Sequence, residues 1–399
     1  METTTPEAVG FSSKRLGRIG TAMQRYVDEG KFAGTLALVA RKGKVAYFEK
    51  TGWKNMATNQ PMELDTIFRI YSMTKPITSV AALMLMEEGC LRLDDPVTRY
   101  IPEWKDLKVS TDPIHDARNG TDMDSPMLVR HLFTHTAGLS YGFNEGESLD
   151  ELYRKHFWSR MDLPGANLKD MVEALGTLPL AHQPGTAWRY SLAIDVLGYL
   201  VEVISGVRFD EYLRQRIFEP LGMLDTAFWV PPEKASRFAV NYGPDPDNPG
   251  KLVDIDPFHK SHYLSPRAFH SGGGGLVSTT QDYLRFCQML LNGGELDGTR
   301  LLGRKTVERM RINHLPVDVY EDANRANGFG LGGNVLVHPE RSPALGSPGI
   351  WGWGGAANTK FWIDFQEEII GILMLQYMPS FTIPIEIDFQ NLVYQALID

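Results

Sequence analysis

Ser72 is followed by Lys75 in the stretch Tyr71-Ser72-Met73-Thr74-Lys75-Pro76, and no other serine of the chain has a lysine three places on. Residues three apart on a helix share a face, so this spacing sets the Lys75 amine beside the Ser72 hydroxyl. A hydroxyl is a poor nucleophile until a neighbour takes its proton. A desolvated lysine can do that directly or through a second group. The apolar run Ile77 to Leu85 continues the helical pattern, and Pro76, which lacks an N–H, fits only near a helix start. A helix beginning at about Tyr71 or Ser72 turns free N–H groups and its positive dipole end toward the place where negative charge must develop. Chance alone gives an S-x-x-K about once in a chain of this length, so the pattern needs partners.

Tyr190-Ser191-Leu192 follows a Pro184-Gly185 turn and precedes an apolar helical run. A tyrosine there can act as the base when a lysine ammonium stabilises its phenolate, and can return the proton to a leaving alcohol. Most tyrosines of the chain must simply pack, so position after a turn is what distinguishes this one. Trp351-Gly352-Trp353-Gly354-Gly355-Ala356 stands just before two β-rich runs. Glycines let a ligand lie against a strand edge, where a backbone N–H can donate to an oxyanion. A second glycine-rich run, His270-Ser271-Gly272-Gly273-Gly274-Gly275, competes for that role but is expected to lead into a helix instead of a strand edge.

The elements that must position these groups are legible at both ends of the chain. Ser12-Ser13 precedes Leu16, Ile19, Met23 and Tyr26 at helical spacing, which predicts a capped helix to about Gly30. Thr35 to Ala40 and Lys44 to Lys50 are β-rich runs joined at Arg41-Lys42-Gly43, a hairpin signal. Thr359 to Phe365 and Glu368 to Gln376 read as two more strands, and Pro384 to Leu397 as a helix. Between the ends, from Gly89 to about Gly332, helical segments alternate with polar loops: Val129 to His135, Met171 to Leu175, Ile194 to Ile204, Glu211 to Phe218 and Thr280 to Leu291. Ser110 to Ser125 and Pro231 to Pro266 read as long loops, which in compact proteins often wall or cover a site. The expected fold class is α+β: an antiparallel sheet built from both termini and flanked by helices, with a mainly helical insertion. The expected units are 1–78 plus 333–399 for the sheet domain and 79–332 for the helical one.

At 399 residues, with 43% hydrophobic and 22% charged residues, the composition is that of a soluble globular protein. A net charge of −9 offers no basic footprint for nucleic acid or anionic lipid, and no run is long and apolar enough to span a bilayer. Cys90 and Cys287 are too few for a disulfide framework and read as buried core residues of a reducing compartment. The start Met1-Glu2-Thr3-Thr4-Thr5-Pro6 has neither a basic nor an apolar leader region, so the expected location is cytoplasmic.

Taken together, these residues resemble the serine β-lactamase and penicillin-binding-protein superfamily, and within it the family VIII carboxylesterases, which share the class C β-lactamase fold. The resemblance covers nearly the whole chain and rests on Ser72-Met73-Thr74-Lys75, His135-Thr136-Ala137-Gly138-Leu139, Tyr190-Ser191-Leu192, Ser271 to Thr279 and Trp353-Gly354-Gly355. It implies Ser72 as nucleophile, Lys75 and Tyr190 as the proton-handling pair, and the N–H groups of Ser72 and Ala356 as the oxyanion hole. It further implies Tyr141 as a site-lining residue and Asp195 as an acidic residue in a supporting or purely structural role. Two departures bear on substrate. Leu192 stands where class C enzymes have the amide of Tyr-x-Asn, and Trp353-Gly354-Gly355 stands where they have Lys-Thr-Gly, so the groups that would meet an acylamino side chain and a carboxylate are missing. An apolar indole favours a neutral acyl or alkyl group.

The expectation is a carboxylesterase acting on neutral, short-chain small-molecule esters through an acyl-enzyme, with weak cephalosporin hydrolysis, no cofactor, and homo-oligomerisation left open. Rivals within the same fold are a β-lactamase, a D-alanyl carboxypeptidase or D-amino-acid amidase, and an acyltransferase; a sensor that acylates without turning over is a rival of another class. Gly346-Ser347-Pro348-Gly349 follows Leu345 and so fails the G-x-S-x-G elbow. His131 and His135 share a helical face, but Leu132 stands where a zinc hydrolase needs glutamate.

Overall fold

The computed structural model describes residues 2–161, 163–257, 260–316, 319 and 325–399. Its organising layer is one sheet. β1 (Gly34–Arg41) and β2 (Lys44–Asn55) form the hairpin read from the sequence, turning through Lys42 and Gly43 at φ 52° and 76°. β3 (Gln60–Pro61) extends one edge. The far end of the chain supplies β4 (Asn327–Phe329), β5 (Asn334–Leu336), β6 (Trp351–Gly354), β7 (Lys360–Asp364) and β8 (Ile369–Met374). The antiparallel order is β4-β5-β6-β7-β8-β1-β2-β3, with Leu38 opposite Ile372 where the termini meet. The sheet thus begins at Asn327, ahead of the expected boundary at 333, and the glycine-rich stretch before the C-terminal strands is itself the strand β6. Short strands rich in glycine and asparagine carry little alternating pattern, which is why β4 to β6 do not show in the sequence.

Both faces of the sheet are covered, so β1 is buried along its whole length. Its side chains alternate between two cores. Ala37 and Val39 meet Ile19, Met23 and Tyr26 of α1 (Arg18–Asp28) and Phe389 and Val393 of the C-terminal helix Ile385–Tyr394. Leu36, Leu38 and Ala40 meet the larger core, which holds α2 (Thr74–Glu87), α3 (Ala193–Ser205) and α4 (Thr280–Leu291). In α2 every residue from Thr74 to Leu85 is buried. A helix that is buried on all sides lies at the centre of a molecule, and this one carries Lys75 there.

The insertion contains helical turns from Ser148 to Met161 and over Arg304–Met310 that the sequence does not announce. Both long loops contain a small two-stranded ribbon, Lys108–Ser110 with Gly120–Asp122 and Tyr242–Pro244 with Leu252–Asp254; residues 258 and 259 of the second lie outside the described residues. Cys287 is buried in α4, whereas Cys90 is exposed, contrary to expectation, because it follows the left-handed Gly89 at the point where the chain leaves the core. Among the described residues no helix is long and apolar enough to cross a membrane.

One buried cation ties the second long loop to the start of α2. Arg69 ends the strand Ile67–Arg69, which pairs with Val277–Thr279, and has no solvent exposure. Its guanidinium meets the Asp256 carboxylate at 2.6 Å, donates to the Ala239 carbonyl at 2.7 Å and to Ser261 Oγ at 3.2 Å, and lies 4.0 Å from the centre of the Phe238 ring. Removing one partner of a buried ion pair strands the other. Arg69→Ala is therefore expected to lower stability by about 3 kcal/mol in urea unfolding, and to lower ester turnover as well, since Ser72 follows three residues later.

Candidate active site

The chain reaches Ser72 through a strained residue. Tyr71 is not glycine yet has φ 41°, held by an edge-on contact with Tyr263, 6.3 Å between ring centres, and by a hydrogen bond from Asn241 Nδ2 to its hydroxyl at 3.2 Å. A single 3-10 turn, Tyr71–Met73, leads into α2, so Ser72 sits at the helix N-terminus as its spacing predicts. Lys75 Nζ donates to Ser72 Oγ at 3.1 Å, and the Tyr190 hydroxyl donates to the same oxygen at 2.7 Å. Lys75 is wholly buried, gives a second hydrogen bond to the Gly273 carbonyl at 2.6 Å, and lies 4.6 Å and 5.1 Å from the ring centres of Tyr190 and Tyr141. The glycine-rich run that the sequence sets aside is therefore part of the site: it leads into the strand Val277–Thr279 beside Ile67–Arg69, and only then into α4.

Tyr190 is bracketed by residues tied to His135. The Arg189 N–H donates to the His135 carbonyl at 2.9 Å and the Ser191 N–H to His135 Nδ1 at 3.3 Å. His135 lies beyond the helix Val129–Phe133 at φ 56°, so it does not share a helical face with His131. Burial, then the Lys75 charge, push its pKa well below the usual histidine range, and the imidazole stays neutral. Among the described residues no cluster of three or more histidine, cysteine or acidic side chains could hold a metal.

Trp353 flanks Tyr190 at 5.7 Å between ring centres and meets Phe329 edge-on at 5.2 Å. Gly355 is fixed by its N–H to the Thr359 carbonyl at 2.7 Å, and a Cβ there would stand 2.2 Å from Thr359 Oγ1 and 2.5 Å from the Ile70 carbonyl. Only glycine lets the strand end, Gly354 to Ala356, come this close to the segment that carries Ser72. Tyr141 is stacked against Phe143 at 4.7 Å and 6°, and Phe143 is 65% exposed, so an aromatic surface reaches solvent from beside Lys75 and Tyr190. Phe143, Phe329 and Trp188, which stacks on Tyr190 at 6.2 Å between ring centres, are additions to the site; Phe143, two residues after Tyr141 in a polar loop, is the one with a sequence signal. Leu192 is a correction. At 1% exposure it packs in the core at the start of α3 and presents no surface to a ligand, because Tyr190 turns outward and the next apolar residue must turn in. Asp195 is wholly buried beneath the site and accepts from Ser271, Gly273 and Tyr141.

A cavity of about 940 Å³ lies elsewhere, lined by Phe218, Phe228, Trp229 and His270 and by none of the residues around Ser72. Size alone does not make it the reaction centre, since among the described residues a nucleophile, a proton-handling tyrosine and a cation converge at Ser72.

The Beta-lactamase family model matches residues 19–392. The chain belongs to the beta-lactamase family. Within this family it is similar to Protein Rv1367c of Mycobacterium tuberculosis, 34% identical over 376 residues, covering 91% of this chain and 90% of the relative. It is 31% identical over 378 residues to Esterase EstB of Burkholderia gladioli, covering 90% of each. Among solved structures, EstCE1, described as a hydrolase with promiscuous acyltransferase activity, superposes with a TM-score of 0.81 at 26% identity, covering 96% of this chain and 99% of that one. The expected β-lactamase-like α+β fold is thus the observed one.

The site's surroundings titrate in the acid range. Burial, then the adjacent Arg130 guanidinium, hold the His131 pKa down to about 4, and His135 is lowered in the same direction. As pH falls below about 6.5, the unfolded chain takes up protons that the folded chain excludes, so stability is full above that pH and is lost on acidification. His131→Asn is expected to flatten the dependence of Tm on pH between about 6.5 and 4, an effect of at most about 3 kcal/mol.

Proposed function

We propose that this protein is a carboxylesterase that hydrolyses neutral small-molecule esters through a Ser72 acyl-enzyme. The observation that carries the reading is the double contact at Ser72 Oγ, from Tyr190 at 2.7 Å and from the buried Lys75 ammonium at 3.1 Å. For attack the pair holds one proton fewer than ammonium plus phenol: the Ser72 hydroxyl then donates to the Tyr190 oxygen, whose negative charge the Lys75 ammonium balances. As Ser72 Oγ attacks the ester carbonyl carbon, its proton passes to Tyr190. The oxyanion accepts from the N–H groups of Ser72 and Ala356. Collapse breaks the bond to the alcohol, which leaves with a proton from Tyr190. Water then attacks the acyl carbon and gives a proton to Tyr190, which passes it to Ser72 Oγ as the acyl–oxygen bond breaks, releasing the acid and restoring the Ser72 hydroxyl.

The similarity to Esterase EstB and EstCE1 supports ester chemistry, and the aromatic wall of Tyr141, Phe143, Tyr190 and Trp353 supports a neutral substrate. The sheet unit contributes Ser72 and Trp353 and the helical insertion contributes Tyr190 and Tyr141, which gives the division of the chain its purpose. Acyl transfer to an alcohol is a second reading, favoured by the named activity of EstCE1: it needs only that an alcohol replace water at the half-buried acyl-enzyme. An exposed, unpaired Cys90 thiol supports a reducing compartment such as the cytoplasm.

Side-by-side turnover of p-nitrophenyl acetate and a chromogenic cephalosporin tests the reading. The intact protein is expected to favour the ester, and Ser72→Ala to lose both activities. Tyr190→Phe is expected to lower kcat by about 10²- to 10⁴-fold with the fold intact; near-normal turnover by that variant would remove Tyr190 from the mechanism. Added short-chain alcohol yielding a new ester would support acyl transfer.

A further inference from the structure

Two donors on α2, three residues apart, reach one turn of the glycine-rich run. Lys75 Nζ donates to the Gly273 carbonyl at 2.6 Å and Thr78 Oγ1 to the Gly272 carbonyl at 2.7 Å. The other side of that turn is gripped by a single carboxylate. Asp195 Oδ1 accepts from Ser271 Oγ at 2.5 Å and from the Gly273 N–H at 3.0 Å, while Oδ2 accepts from the Tyr141 hydroxyl at 3.2 Å. Asp195 itself has no solvent exposure. A Cβ on residue 273 would stand 2.1 Å from Asp195 Oδ2 and 2.6 Å from the Tyr141 oxygen, so glycine is required for the turn to close on the carboxylate.

The consequence lies at Lys75. Its ammonium has three N–H donors and no solvent exposure; Ser72 Oγ and the Gly273 carbonyl take two, and the faces of Tyr141 and Tyr190 flank the charge. The Gly273 contact is the shorter of the two hydrogen bonds, so where that carbonyl stands decides where the ammonium stands. We propose that Asp195 and Ser271 are positioning residues: their clamp on the Ser271–Gly273 turn aims the Gly273 carbonyl at Lys75 and so holds the ammonium against Ser72 Oγ. The inference rests on the esterase reading of Ser72. Neither residue touches the reacting atoms. A bond to a buried carboxylate is worth more than one to a neutral acceptor, and a misplacement of about 1 Å near a reacting group can cost on the order of 10²-fold in rate. Among the described residues the titratable group that touches this carboxylate is Tyr141, whose ring in turn meets Lys75 and Tyr190.

The test uses the full chain with p-nitrophenyl acetate and compares Ser271→Ala, Ser271→Thr, Asp195→Asn and Ser72→Ala, with thermal melts to report folding. Ser271→Ala is expected to lower kcat by about tenfold or more with KM nearly unchanged, and Ser271→Thr, which keeps the hydroxyl, to restore most of the loss. Asp195→Asn, which removes a negative charge beside the proton-handling groups, is expected to move the pH–rate profile along the pH axis; a merely structural lesion would scale the rate alike at every pH. Should Asp195→Asn fail to fold, the alanine and threonine pair at 271 decides alone. Unchanged kcat in Ser271→Ala, with Ser72→Ala inactive, would overturn the clamp and leave the esterase reading standing. Full turnover by Ser72→Ala would overturn the reading and the clamp with it.

Discussion

A lysine ammonium with no access to water needs acceptors from the protein, and most of what surrounds Ser72 follows from supplying them to Lys75. An unpaired buried cation costs several kcal/mol, and in its place the chain brings together groups from distant parts of the sequence: the Ser72 hydroxyl, the Gly273 carbonyl and two tyrosine rings. Because α2 is buried on every side from Thr74 to Leu85, Lys75 has no face through which to escape to solvent. The same burial that makes the cation expensive keeps its geometry fixed. A lysine on a wet surface would spread over many rotamers; here it has one place to be.

The frame around this cation is long-range. Arg69 reaches forward to Asp256 and Ser261 of the second long loop, and its backbone N–H donates to the Gln376 side chain, two residues past the end of β8. Tyr71, in a left-handed conformation that a tyrosine rarely adopts, is held from the same loop by Asn241 and Tyr263. The strain at residue 71 is a property of the assembled molecule, since the local sequence gives it no support. The long segment from 231 to 266 therefore serves as a brace for the nucleophile.

This explains what could be read from the sequence. Ser72 and Lys75 are legible because their spacing is local and helical, and β1, β2, β7 and β8 because alternating or continuous apolar runs mark them. The Gly273 carbonyl is not legible: a backbone acceptor leaves no trace in residue type, and the three-residue strand after it is shorter than any periodicity. Leu192 misleads for a related reason, since position next to Tyr190 says nothing about which way a side chain turns. Phe329 and Trp188 join the site only through the order of the sheet and the fold of the insertion. The resemblance to the superfamily supplied Tyr141, Asp195, Trp353 and Ala356, whose placement no local pattern of this chain dictates.

Two tyrosines face Lys75, and their surroundings separate them. Tyr141 is buried and donates its proton to the Asp195 carboxylate, and burial, then that charge, push its pKa well above the ordinary phenol range. It is therefore locked as a neutral donor. Tyr190 has no carboxylate beside its hydroxyl among the described residues and donates instead to Ser72 Oγ, with the Lys75 ammonium over its ring and His135 fixing the backbone on either side, through its carbonyl at Arg189 and its imidazole at Ser191. Two chemically identical side chains thus receive different work, because one hydroxyl is engaged by a buried carboxylate and the other meets the nucleophile. The carboxylate that holds the Gly273 turn is the same one that disqualifies Tyr141 as a base, so a single buried charge sets both the position of the cation and the choice of tyrosine.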